Sequence, residues 1–125
     1  MEIAPIIPGD RQVIGAYGAG LFRVSGIAFD HSVLVFPART LAWPVTAFSD
    51  IDADCFSPVL EADPAVEVLL LGTGARHEFV PPALRRQLRE SGIVLDSMDT
   101  GAACRTYNVL MAEDRRVAAA LIALD

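Results

Sequence analysis

The chain has 125 residues, 53% of them apolar, and a formal charge of −6. That length allows one domain with a proper core, without metal or disulfide staples. An acidic chain with no basic run is a poor candidate for nucleic acid, whose affinity is built on phosphate neutralisation, and equally poor for an anionic membrane surface; no nucleic acid is expected as a partner. All ten basic residues are arginines, which excludes Schiff bases, a phosphate-loop lysine and a serine–lysine dyad.

Residues 1–20 read as an irregular lead-in, broken by Pro5, Pro8, Gly9, Gly15, Gly18 and Gly20. Leu21–Ala28 reads as a strand, with Phe22 and Val24 on one face, Arg23 and Ser25 on the other, and Gly26 as a bulge. Asp30-His31 is a turn and Ser32–Phe36 a second strand; the short connection predicts an antiparallel hairpin. A third strand is expected near Leu41–Val45, confined to an edge by Pro44. Residues 46–64 are connection, with Ser57-Pro58 opening a short helix that Asp63-Pro64 closes.

From Val66 the pattern changes. Val66–Leu71 is a buried strand that ends in Gly72-Thr73-Gly74. Pro81–Glu90 is a helix with Leu84 and Leu88 inward, Arg85, Arg86 and Arg89 toward water, and Gly92 as its left-handed cap. Ile93–Met98 is the next strand, and Asp99 or Thr100 caps a second helix to about Ala112. After the turn at Glu113-Asp114-Arg115, Val117–Leu124 lacks a polar face and reads as a buried strand. Strand–helix–strand–helix–strand implies parallel strands with right-handed crossovers. The expected fold is α/β: a three-layer α/β/α single domain with a mixed, mostly parallel sheet and an N-terminal antiparallel hairpin.

Ligands of such sheets bind outside the carboxyl ends of the parallel strands. Two loops arrive there, 72–79 and 99–101. Gly72, Thr73 and Gly74 allow close backbone approach. Thr100 and Gly101 open the second helix, and Arg105 lies one turn in, so a small anionic ligand is one expectation for this place. The glycines equally serve as a tight turn, and Arg105 as an ion-pair partner. Asn108 follows on the same helix, either inward toward the site or stitched to a neighbouring segment. His77 replaces the third glycine of a dinucleotide fingerprint, and no phosphate-loop pattern exists. Cys104 is the candidate nucleophile, near a helix N-terminus and beside Arg105, with close packing as its plainer role. His77 is the candidate base. Two histidines and two cysteines spread along the chain give no metal-ligand spacing, and no complete catalytic constellation or cofactor motif is present. Tyr17, Phe22 and Trp43 are expected as core or rim aromatics; an exposed cluster would mark a partner surface.

Cys55 and Cys104 stand in no Cys-x-x-Cys pattern, which favours a reduced setting while leaving one disulfide open. The first residues carry no secretory pattern. The longest apolar run is far below the roughly 17–25 residues of a membrane helix. A cytoplasmic protein without membrane insertion is expected.

Leu70-Leu71-Gly72-Thr73-Gly74, Met98 through Leu110, and Glu113–Arg116 with Val117–Ile122 resemble the Mth-like domain family, as do Tyr17-Gly18-x-Gly20-x-Phe22-x-Val24-x-Gly26, Val33-Leu34-Val35 and Trp43. The resemblance covers about residues 12–124, leaving 1–12 as lead-in to one domain over 1–125. It implies the three-layer architecture and a strand at 117–124. It carries no catalytic activity with it. A mitochondrial member of the family assists respiratory-complex assembly through protein contacts, so the resemblance implies a non-enzymatic assembly or adaptor factor with a protein partner. The rim of glycine loop, Arg105 and N-terminal aromatics is the expected contact surface. The alternative is a binder of, or enzyme acting on, an anionic metabolite.

Overall fold

A computed structural model describes residues 11–124. Strands β1 (Ile14–Gly18), β2 (Leu21–Val24) and β3 (Ile27–Phe29) form an antiparallel meander. Strands β4 (Val33–Val35), β5 (Thr40–Ala42), β6 (Val68–Gly72), β7 (Val94–Met98) and β8 (Val117–Leu121) form a second sheet in the order β5-β4-β8-β6-β7. β6 runs parallel to both β7 and β8, while β4 is antiparallel to β5 and β8. The sheet is thus mixed and evenly divided. Helices α1 (Ser57–Leu60), α2 (Pro82–Glu90) and α3 (Thr100–Ala112) complete the fold, with 3-10 turns at Phe48–Asp50 and Ala53–Phe56.

The five-stranded sheet is covered on both sides. Leu69, Leu71, Ala118 and Ala120 pack with Trp43, Phe56, Val59 and Leu88 on the face of α1 and α2. Leu70, Ala119 and Leu121 pack with Phe22, Val24, Cys104, Tyr107 and Met111 on the face of α3 and the meander. This two-sided cover explains why β8, at the centre of the sheet, is buried at all five positions and shows no alternation. Of its three alanines, Ala119 packs with Ala103 and Cys104 of α3, while Ala118 and Ala120 pack on the α1 and α2 face. Gly92, at φ +82°, caps α2, and the Ile93 amide donates to the Leu88 carbonyl at 3.0 Å. Among the described residues no helix is long and apolar enough to cross a membrane.

The N-terminal part departs from the sequence expectation in three ways. First, the lead-in read over 1–20 contains β1; residues 1–10 lie outside the described residues. Second, Leu21–Ala28 is two strands. Ser25 and Gly26 both adopt positive φ (48° and 85°), the geometry of a tight hairpin turn, so Gly26 reverses the chain and makes no bulge. Ser25 is anchored there by its hydroxyl, which donates to the Arg11 carbonyl and accepts from the Val13 amide. Third, β4 does not pair with the strand before it. It enters the main sheet between β5 and β8, because all three of its residues are apolar and need cover on both faces. Pro44 lies just past the edge strand β5, as its missing amide hydrogen requires.

Arg85 also departs from expectation. The helical pattern sent it to water, yet its guanidinium donates to the Leu95 carbonyl (2.6 Å) and the Ser97 hydroxyl (2.9 Å). β7 is an edge strand, so its outer carbonyls are within reach of a long side chain from α2.

Candidate functional site

The loops after β6 and β7 meet at the carboxyl ends of the parallel strands. A Cβ at Gly72 would stand 2.9 Å from the Thr100 Cα. Only glycine therefore lets the start of α3 sit against the end of β6. The contact is sealed by hydrogen bonds. Thr100 Oγ1 donates to the Ile122 carbonyl (2.8 Å) and accepts from the Gly74 amide (2.9 Å), and the Thr100 amide donates to the Gly74 carbonyl (2.8 Å). Thr73 closes the loop on itself: its hydroxyl donates to the Arg76 carbonyl (2.7 Å) and accepts from the Glu78 amide (3.1 Å). At the N-terminus of α3 the Asp99 carboxylate accepts from the Ala102 amide at 2.9 Å. The positive end of the helix is thus already faced by an anion of the chain itself.

The structure brings Gly72, Thr73, Gly74, Thr100 and Gly101 together, all buried. Arg105 joins them from outside. It is exposed, and its guanidinium donates to the Tyr17 hydroxyl. The Tyr17 ring lies over Gly101, where a Cβ would come within 2.9 Å of it. Asn108 lies apart from this group. Its side-chain oxygen accepts from the Ile14 amide (3.0 Å) and its amide donates to the Ile14 carbonyl (2.7 Å), clasping β1 to α3.

Cys104 is 1% exposed. Burial pushes its thiol pKa up to about 12; the nearby Arg105 charge pulls the other way and Asp99 adds to the rise. At this position desolvation outweighs the helix end and Arg105 and disfavours the thiolate. Alkylation of the folded protein is expected to be no faster than global opening allows, measured against the unfolded chain; rapid stoichiometric labelling of Cys104 would contradict it. Folding favours the neutral thiol, so its contribution is complete below about pH 9 and is lost as pH rises toward about 12. The buried Tyr107 phenol, donating to the Gln12 carbonyl at 2.9 Å, is also pushed up by burial. Denaturation midpoints measured across that alkaline range should fall.

His77 is exposed, and its Nε2 lies 2.9 Å from Ser97 Oγ. That oxygen also accepts from Arg85, and Nε2 accepts the serine proton in the Nδ1–H tautomer or donates to the oxygen in the Nε2–H tautomer. The ring is tethered to β7. His31 is exposed, with Nδ1 2.9 Å from the Ser32 carbonyl. Among the described residues no cluster of His, Cys, Asp and Glu suits a metal ion, and both cysteines are free thiols.

Residues 14–122 match the family described as "Protein of unknown function (DUF498/DUF598)". The chain belongs to that family. A zebrafish relative, "NADH dehydrogenase [ubiquinone] 1 alpha subcomplex assembly factor 3", is 38% identical over 88% of this chain and 63% of its own length. The chain spans about 60% of the length of such assembly-factor relatives. An uncharacterized protein from Rhodobacter capsulatus is 34% identical over 96% of this chain and 93% of its own. Among solved structures, one described as an outer membrane protein from Bartonella henselae superposes with a TM-score of 0.84 at 42% identity, covering 94% of this chain and 98% of its own. A Bordetella pertussis protein described as an Mth938-like domain gives 0.79 at 34% identity, over 98% and 90%.

In this DUF498/DUF598 member the exposed apolar groups at the carboxyl end are Tyr17 (37% exposed), Leu21 (45%) and, on the loop after β6, Phe79 (78%). Trp43 and Phe22 are core residues: the Trp43 indole donates to the Cys55 carbonyl at 2.9 Å, and its ring tilts against Phe56. Phe79 was missed by sequence reasoning. The available signal was an aromatic between a glycine turn and a Pro-Pro helix start, a place with no core position to fill.

Proposed function

We propose that the chain is a non-enzymatic assembly or adaptor factor acting through protein contacts, with a respiratory complex as the assembly it serves. The observation that carries this reading is the similarity to proteins named as assembly factors of NADH dehydrogenase. The site geometry supports it. The hydroxyls and amides around Gly72–Gly74 and Thr100 are engaged with one another, which leaves few donors for a small anionic ligand. An aromatic, an arginine and an apolar loop tip at the same end remain exposed, and these are residue types that anchor protein interfaces. Arg105, Tyr17 and Phe79 form the proposed contact surface. The proposed setting is the cytoplasm, which the two free thiols support.

Deleting the chain from its native cell is expected to lower the amount of fully assembled NADH–quinone oxidoreductase and to leave subassemblies, read on native gels. Unchanged assembly would contradict the proposal.

A further inference from the structure

At the opposite end of the sheet, beneath the amino ends of β6 and β8, three turns enclose a cavity of about 240 Å³. The turns are Phe36–Arg39 between β4 and β5, the segment 62–66 before β6, and Asp114–Val117 between α3 and β8. The floor is apolar, with Phe36, Val66 and Val117 all buried below it. The rim carries Arg11, Arg39, Arg115 and Arg116, four of the ten basic residues of the chain. Two carboxylates, Asp63 and Asp114, share it. The cleft is therefore net positive on a chain whose formal charge is −6.

The arginines are held in different ways. Arg11 pairs with Asp114 at 2.7 Å, and Arg116 with Glu67. Arg39 lies over the Phe36 ring, its guanidinium carbon 4.9 Å from the centroid. Among the described residues the guanidinium groups of Arg39 and Arg115 have no carboxylate partner. Planar forks of this kind match carboxylates bidentately. Because they rise from separate turns, a single small acid meets only part of the rim. An extended segment with several carboxylates meets it around the mouth.

We propose that this cleft docks an acidic segment of a protein partner, with an apolar side chain on the Phe36–Val66–Val117 floor and carboxylates on Arg39 and Arg115. The class of occupant rests on the protein-contact reading above; the site is separate from the surface at Arg105. A net positive cleft on an acidic chain also gives an acidic partner a direction of approach that the rest of the surface repels.

The test uses a fluorescent peptide of alternating glutamate and leucine, its glutamine counterpart, and free glutarate. The glutamate peptide should bind saturably, more weakly as salt rises, and shift the amide resonances of 36–39, 63–66 and 114–117. Arg39→Glu with Arg115→Glu should weaken it about tenfold or more, and the milder Arg39→Gln with Arg115→Gln should weaken it less. Both pairs are exposed, so the melting temperature should hold. Arg105→Ala should bind the peptide as wild type does, which separates this site from the proposed contact surface. The proposal is overturned by no saturable binding, by equal binding of the glutamine peptide, by equal loss in Arg105→Ala, or by glutarate displacing the peptide at comparable concentration.

Discussion

Replacing Thr100 with valine is expected to destabilise the protein by roughly 2–4 kcal/mol, because two buried backbone groups lose their partner at once. The valine has the shape of threonine and keeps the packing. What it removes is the hydroxyl that joins the Gly74 amide to the Ile122 carbonyl across the ends of β6, α3 and β8. A buried amide or carbonyl left unpaired costs about 1–3 kcal/mol, and here both are affected. For a domain of this size that corresponds to a fall in melting temperature of roughly 10 °C. Thr100→Ser keeps the hydroxyl and loses only a methyl, about 1 kcal/mol. Thermal unfolding of the two variants side by side separates hydrogen bonding from packing. Equal losses would show that the hydroxyl is not what ties the loops together.

Arg105→Ala and Phe79→Ala should behave in the opposite way, with folding kept and binding lost. Phe79 is 78% exposed, and Arg105 touches the fold through the exposed Tyr17 hydroxyl. Surface substitutions of this kind usually stay within about 0.5 kcal/mol of wild-type stability. An aromatic or arginine anchor at the centre of an interface is worth about 2 kcal/mol or more, close to thirtyfold in dissociation constant. Titration of the purified partner against the wild type and each variant gives the ratio. A ratio near one for both would remove this end of the sheet as the contact surface.

The C-terminal half of the fold was legible in the sequence because its signals are local. Gly92 marks the end of α2, Asp99 caps α3, and a change between continuous and 3.6-residue apolar patterning separates strand from helix. The meander was not legible for an equally local reason. Its tight turn uses Ser25 at positive φ, where sequence rules look for asparagine or aspartate before glycine. β4 held an unread signal: Val33-Leu34-Val35 does not alternate, so it belongs in a sheet covered on both faces. Of the site, the meeting of Gly72, Thr100 and Arg105 followed from topology. That their polar groups face each other did not, because it depends on the Thr100 hydroxyl meeting the Gly74 amide and the Ile122 carbonyl, 26 and 22 residues away in sequence. The arginine cleft was invisible for the same reason, since its rim comes from turns that share no motif.

Cross-linked affinity purification from the native cell, with wild type and Arg105→Ala in parallel, tests the protein-contact function most directly. A respiratory-complex component enriched with the wild type and reduced with the folded variant is the expected result. No partner enriched over control would contradict the proposed function, and equal recovery by the variant would contradict the surface assigned to it.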